Sequence, residues 1–154
     1  MMNLCCEVLQ ALKGKTLATA ESCTGGMIGA ALTAVPGSSA IYKGGVISYV
    51  DEVKHKVLGV SMELLEQSGA VSQRVAEAMA AGVREVLKAD VGVSVTGLAG
   101  PGGDNYGNPV GTVYIGYADV NGSTAKCFHY SGDREAVRLQ AAEAVLRIVI
   151  ENNQ

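Results

Sequence analysis

The chain has 154 residues, of which 48% are hydrophobic and 18% charged, and it carries a net charge of −3. That length encloses a full core without metal or disulfide staples, and the acidic balance, with twelve Lys and Arg scattered along the chain, leaves no electrostatic footprint for nucleic acid. No apolar run approaches the ~18–20 residues needed to span a bilayer, and the opening MMNLCCEVLQALKGK lacks the basic-then-apolar order of a secretion signal. We therefore expect a cytoplasmic protein with no membrane or nucleic-acid partner. The charged share falls below the ~25% of ordinary soluble chains, which points to surface buried between subunits and hence to a homodimer or larger homo-oligomer. Cys5, Cys6, Cys23 and Cys127 form no CxxC pair and only His55 and His129 are present, so reduced thiols, no structural metal and no cofactor are expected.

In chain order, Asn3–Leu12 reads as a helix with Leu4, Val8 and Leu12 on one face, followed by a Gly-Lys break and a short strand, Thr16–Ala20. Thr24–Thr33 has apolar residues in helical order and ends before Val35-Pro36-Gly37. Ile41–Tyr49 is a second strand with a glycine pair inside it, a sign of a bulge or of close backbone approach. Asp51, Ser61 and Ser72 are candidate N-caps for three further helices, the longest carrying Val75, Met79, Val83 and Val86 at helical spacing. Val91–Thr96 is a β-type run that opens into the glycine-rich loop GLAGPGGDNYGNPVG, and a loop of that length within a compact domain is usually functional. Thr112–Val120 and Ser123–Tyr130 flank Asn121-Gly122 and should form an antiparallel hairpin. Arg134–Ile150 is a closing helix, apolar over most of its circumference. This order predicts one α/β domain over residues 1–154, a three-layer α/β/α stack with a mixed sheet.

In open α/β sheets, sites form beyond the carboxyl ends of strands, where helix N-termini offer free N–H groups. The stretch Glu21–Gly26 (ESCTGG) falls at such a place, with Ser22 at the strand end and amides near Thr24, Gly25 and Gly26 placed to face an oxyanion or a phosphate. The plainer alternative is that Ser22 or Thr24 caps the helix while the glycines make the turn. A P-loop is excluded, because the GxxxxGK[ST] lysine is missing. A serine nucleophile needs a base, and His55 lies within a helix and His129 in the last hairpin strand. Lys54 comes next, one turn into a helix after a strand end, where burial would yield a neutral amine and Tyr49 would relay or hold the proton. Its alternative is a solvated helical lysine. Cys23 competes as nucleophile, since a thiol at a helix N-terminus has its pKa depressed.

The long loop contributes Thr96, the backbone of Gly97 and a stiff Gly100-Pro101 step, features that suit an anionic or planar ligand. Arg134 and Arg138, at i and i+4, share one helix face and suit a bidentate phosphate clamp; ion pairing with Asp133, Glu135 or a neighbour is the alternative.

Three stretches together, AESCTGG at 20–26, VTGLAGPGG at 95–103 with NPVGTVYIG at 108–116, and SGDREAVR at 131–138, resemble the carboxy-terminal domain of the CinA (competence/damage-inducible) family. Its stand-alone members include the PncC-type nicotinamide mononucleotide amidohydrolases. The resemblance runs from about Leu4 to the end and implies an anticodon-binding-domain-like three-layer fold, assembled as dimers or larger. It implies deamidation of nicotinamide mononucleotide to nicotinate mononucleotide and ammonia. It also implies Ser22 as nucleophile, Lys54 as base with Tyr49 assisting, Glu21 and Thr96 as further polar site positions, and the arginines of SGDREAVR at the substrate phosphate. The family commonly reads Tyr-Ser-Asn before the lysine, whereas Val50 and Asp51 follow Tyr49 here, and it often has Lys where Asn108 stands. Those departures set a second reading beside the first, a catalytically silent module of the same family that binds a pyridine nucleotide or another protein.

Overall fold

The computed structural model describes residues 1–154. Five strands, β1 (Leu17–Glu21), β2 (Tyr42–Ile47), β3 (Val91–Gly97), β4 (Thr112–Asp119) and β5 (Gly122–His129), form one sheet in the order β2-β1-β3-β4-β5. β1 runs parallel to both of its neighbours, whereas β3–β4 and β4–β5 are antiparallel, so the sheet is mixed as expected. β1 is buried along its whole length, because parallel strands covered on both faces carry continuous apolar runs rather than alternation.

Six helices supply the two covers: α1 (Met2–Ala11), α2 (Met27–Thr33), α3 (Asp51–Leu58), α4 (Met62–Ser68), α5 (Gln73–Leu87) and α6 (Arg134–Glu151). The larger core joins α1, α2 and α6 to one sheet face through Val8, Ile28, Val93, Ile115 and Leu146. A smaller core joins α3, α4 and α5 to the other through Ala18, Ala20, Leu58, Leu65 and Met79. No helix is long and apolar enough to cross a membrane.

The glycine pair of β2 has both properties expected of it. Pairing with β1 skips Lys43, passing from Leu17–Tyr42 to Ala18–Gly44, which is a bulge. A Cβ at Gly45 would collide with the Thr19 hydroxyl and carbonyl, so only glycine permits the strands to lie this close.

Ser61 and Ser72 cap α4 and α5 through Leu64 N–H and Val75 N–H. Asp51 does not cap α3: Val50 holds that place without a side-chain bond, and Asp51 sits in the first helical turn, where its charge still suits the dipole. Val86 lies on the exposed side of α5. The hairpin pairs Asp119 with Gly122, which places its two-residue turn at Val120-Asn121, one position earlier than expected.

Candidate active site

Alternation along β1 decides what its carboxyl end presents. Leu17 packs in the α1/α2/α6 core and Ala18 and Ala20 in the α3/α4/α5 core, so Glu21 turns toward α2 and Ser22 toward α3. α2 begins later than its sequence pattern suggests, at Met27, because Gly25 and Gly26 adopt positive φ and turn the chain first. Glu21 reaches across that turn. Its Oε1 accepts from Thr24 Oγ1 at 2.7 Å, Gly26 N at 3.2 Å and Ile28 N at 3.0 Å, and its Oε2 from Gly29 N at 3.0 Å. The carboxylate is therefore the cap of α2, and neither Ser22 nor Thr24 caps it. This corrects two expectations. Glu21, Thr24, Gly25 and Gly26 do not line the cavity that Ser22 faces, and the amides at the start of α2 are already bonded rather than free for an oxyanion.

On the opposite side of the strand end, Lys54 enters from α3 and is only 1% exposed. Its Nζ lies 3.0 Å from Ser22 Oγ, 2.8 Å from Ser48 O and 3.3 Å from Tyr49 O. The solvated-lysine alternative is thereby excluded. Desolvation by burial lowers the amine's pKa, against an opposing pull from Asp51 and Cys23. A neutral tetrahedral amine has two N–H donors and one lone pair. With the two carbonyls taking the N–H groups, the lone pair is left to face the Ser22 hydroxyl.

Cys23 is not an activated thiol. Burial pushes it up to about 11, because it is enclosed beside the turn instead of exposed at a helix N-terminus, and at that value only roughly one thiol in 10⁴ is ionised at pH 7.

The two arginines of α6 divide their work. Arg138 donates to Cys23 O at 2.9 Å and Thr24 O at 3.1 Å, tying the Ser22 corner to α6 away from the cavity. Arg134 lines the cavity, donating to Gly100 O at 2.8 Å and to the Tyr49 hydroxyl at 3.0 Å. Neither forms an ion pair with Asp133 or Glu135, and they make no joint clamp. The Tyr49 phenol thus faces Arg134 on a side chain that is 55% exposed, and it is the Tyr49 backbone carbonyl that touches Lys54. A proton relay through its hydroxyl is not what this geometry builds.

These groups border one cavity of 560 Å³, a size that suits a small organic ligand. Of the candidate site residues, Ser22, Lys54, Tyr49, Thr96, Gly97, Gly100 and Arg134 line it. Thr96 is buried and donates to Ala70 O, joining β3 to the start of α5's approach segment. The far wall is the glycine-rich loop. Asn108 fastens it by donating to Val71 O and to Asp104 Oδ2, and the Tyr106 hydroxyl donates to Glu66 O at 2.8 Å. Burial works to raise the Asp104 carboxyl, but bonds from the Asn108 side chain and the amides of Tyr106 and Asn108 outweigh it and hold the pKa low.

Three contributors to the site went unread in the sequence: Ser48, Asp104 and Tyr106. Ser48 acts through its carbonyl, which leaves no residue-type signal. Asp51 is legible as a helix cap and as a departure from the family pattern, and the structure adds that it lines the cavity. The spacing Asp104-x-Tyr106-x-Asn108 does carry a signal, a carboxylate accepting from amides two and four residues on.

The CinA C-terminal domain model matches residues 2–152. A nicotinamide-nucleotide amidohydrolase PncC from Enterobacter agglomerans is 50% identical, covering 97% of this chain and 96% of its own. A CinA-like protein from Synechocystis is 53% identical over 122 residues, and there the match spans only 29% of the relative's length. Among solved structures, a competence or damage-inducible protein from Enterobacter asburiae superposes with a TM-score of 0.96 at 32% identity, covering 99% of this chain and 98% of that one. A CinA superfamily protein from Klebsiella pneumoniae gives 0.95 at 36% identity, covering 98% and 96%. The chain belongs to the CinA C-terminal domain family.

Proposed function

We propose that this chain is an amidohydrolase that converts nicotinamide mononucleotide to nicotinate mononucleotide and ammonia through a Ser22–Lys54 pair. The observation that carries the reading is the buried Nζ held 3.0 Å from Ser22 Oγ, with two backbone carbonyls fixing its other directions. The name of the Enterobacter agglomerans relative, which aligns over nearly the full length of both chains, supports the substrate class. Neutral Lys54 accepts the hydroxyl proton as Oγ bonds to the carboxamide carbon. The proton passes to the amide nitrogen, the C–N bond breaks and ammonia leaves, giving an ester on Ser22. Lys54 then takes a proton from water, whose oxygen bonds to the ester carbon. The ester C–O bond breaks, the proton returns to Oγ and the acid is released.

The N–H of Cys23, the residue after the nucleophile, serves in this reading as the oxyanion donor, because the α2 amides are taken by Glu21. Losing such a donor typically costs ~10²–10³ in rate. A trans peptide directs its N–H opposite its carbonyl, so Arg138's hold on Cys23 O and Thr24 O fixes the Thr24 and Gly25 amides that follow Cys23 in this turn. Arg134 retains donors beyond those given to Gly100 and Tyr49, and it holds the substrate phosphate together with the glycine-rich loop. The unpaired thiols fit a reducing compartment, and we place the reaction in the cytoplasm, carried out by residues 1–154 as one unit within a homodimer or larger assembly.

Incubating purified protein with nicotinamide mononucleotide and measuring ammonia tests this reading. Stoichiometric ammonia and nicotinate mononucleotide are expected. A protein whose melting temperature rises with the nucleotide but which releases no ammonia is instead a binding module.

A further inference from the structure

Besides Lys54, three charged side chains line the cavity: Asp51, Asp104 and Arg134. Two are already engaged. Asp104 is bonded within its own loop, and Arg134 spans Gly100 and Tyr49. Asp51 enters none of the chain's ion pairs and makes none with Arg134, which lines the same cavity. It stands three residues before Lys54 in α3, so the two side chains share one helix face one turn apart. It is close enough for its charge to favour the protonated amine. A carboxylate there works against a neutral base as long as nothing neutralises it.

The substrate named above supplies what is missing. The ring nitrogen of nicotinamide mononucleotide is quaternary, so the ring bears a full positive charge, and the carboxamide is attached directly to that ring. With the carboxamide carbon at Ser22 Oγ, covalent geometry keeps the ring beside the walls nearest Ser22 and Lys54. We propose that Asp51 is a specificity-determining residue that selects a cationic pyridinium ring over a neutral ring carrying the same carboxamide and phosphate. The bound cation also screens Asp51 from Lys54, so the group that favours the substrate stops opposing the base once the substrate is in place. The occupied cavity is then bipolar, Asp51 facing the ring and Arg134 the phosphate, as a zwitterionic ligand requires.

This inference rests on the amidohydrolase reading for its substrate, and the experiment separates the two. Binding of nicotinamide mononucleotide and of its reduced form, whose dihydropyridine ring is neutral, is measured by calorimetry on Ser22→Ala protein, which cannot turn either over. Asp51→Asn and Asp51→Glu are then added in that background, with melting temperature as the control for folding. We expect Asp51→Asn to weaken the oxidised nucleotide about 2- to 5-fold, as an ion pair to an exposed carboxylate allows, to leave the reduced one unchanged, and Asp51→Glu to restore the preference. Equal weakening of both forms, or no change in either, overturns the proposal. Ammonia release by the wild-type chain judges the chemistry independently. Binding selectivity that collapses in Asp51→Asn without any ammonia release keeps Asp51's role and discards the hydrolysis. Ammonia release with a selectivity that Asp51→Asn does not move does the reverse.

Discussion

At the carboxyl end of β1 two buried charged side chains, Glu21 from the strand and Lys54 from α3, lie on opposite sides of the sheet, and they are built in opposite ways. Glu21 is 2% exposed and receives four hydrogen bonds, three of them from backbone N–H groups of the turn and α2. Lys54 is buried as deeply, but its partners are two carbonyls and one hydroxyl, and burial pulls its pKa down. A charge surrounded by fixed donors is a structural joint. A charge stripped of water and left facing one ionisable hydroxyl is prepared to lose its proton, which is what a general base near neutral pH requires. Burial alone does not separate these cases; the Ser22 hydroxyl does, a partner that can itself hand a proton to the neutral amine.

Several substitutions break that contrast, the largest effect first. Ser22→Ala should lower kcat by at least about 10³-fold, while Cys23→Ala stays within roughly threefold of wild type, since only the first removes the ester-forming oxygen. Steady-state ammonia assays on both variants decide it, and the opposite ranking transfers the nucleophile to Cys23.

Lys54→Met should cost about 10²–10⁴-fold in kcat with binding retained, and Lys54→Arg should not rescue it, because a guanidinium keeps its proton. Wild-type activity should rise with pH through the lowered amine pKa, as the neutral form accumulates. The same shift appears in stability. Between the lowered folded pKa and the ordinary 10.5 the unfolded chain binds the extra proton, so wild-type stability relative to Lys54→Met should climb with pH across that window and stay at its low plateau below it. Denaturant titrations of both proteins at several pH values measure the difference.

The arginines come next. Arg134→Ala should reduce kcat/KM for the nucleotide by roughly 10–150-fold and spare the riboside, which has no phosphate to hold. Arg138→Ala should impair nucleotide and riboside alike, because it loosens the turn that carries Ser22. Kinetics on both substrates separate the roles, and a selective loss in Arg138→Ala would reverse them.

Glu21→Gln tests the structural side. It replaces one acceptor oxygen with an amide donor in a site made of donors, and should cost about 1–3 kcal/mol of stability with little change in turnover per folded molecule. Urea melts combined with active-site titration measure both, and a large loss of turnover at full stability would make Glu21 part of the chemistry.

Much of this architecture was legible in the chain. Hydrophobic periodicity marked the strands and helices, the strand-end rule offered Ser22 and Lys54 as candidates, and the family resemblance paired them from segments 32 residues apart. Less was legible wherever a single residue of phase decides the outcome. Glu21 and Ser22 are neighbours in one motif, yet strand alternation sends them to different faces. Arg134 and Arg138 share a helix face, but α6 rises far enough in four residues that one meets the cavity and the other the back of the Ser22 turn. Asp51 misleads for a similar reason: a helix that starts one residue earlier moves it from capping position to cavity wall. The burial of Lys54 depends on what α3 packs against, which no local pattern records.

The central claim is that a covalent ester forms on Ser22. Acid-quenching the wild-type protein during turnover of nicotinamide mononucleotide, followed by peptide mass spectrometry, tests it directly. The account predicts a nicotinoyl-nucleotide adduct on Ser22 that is absent from the Lys54→Met variant. An adduct on Cys23, or turnover that persists in Ser22→Ala, would contradict it.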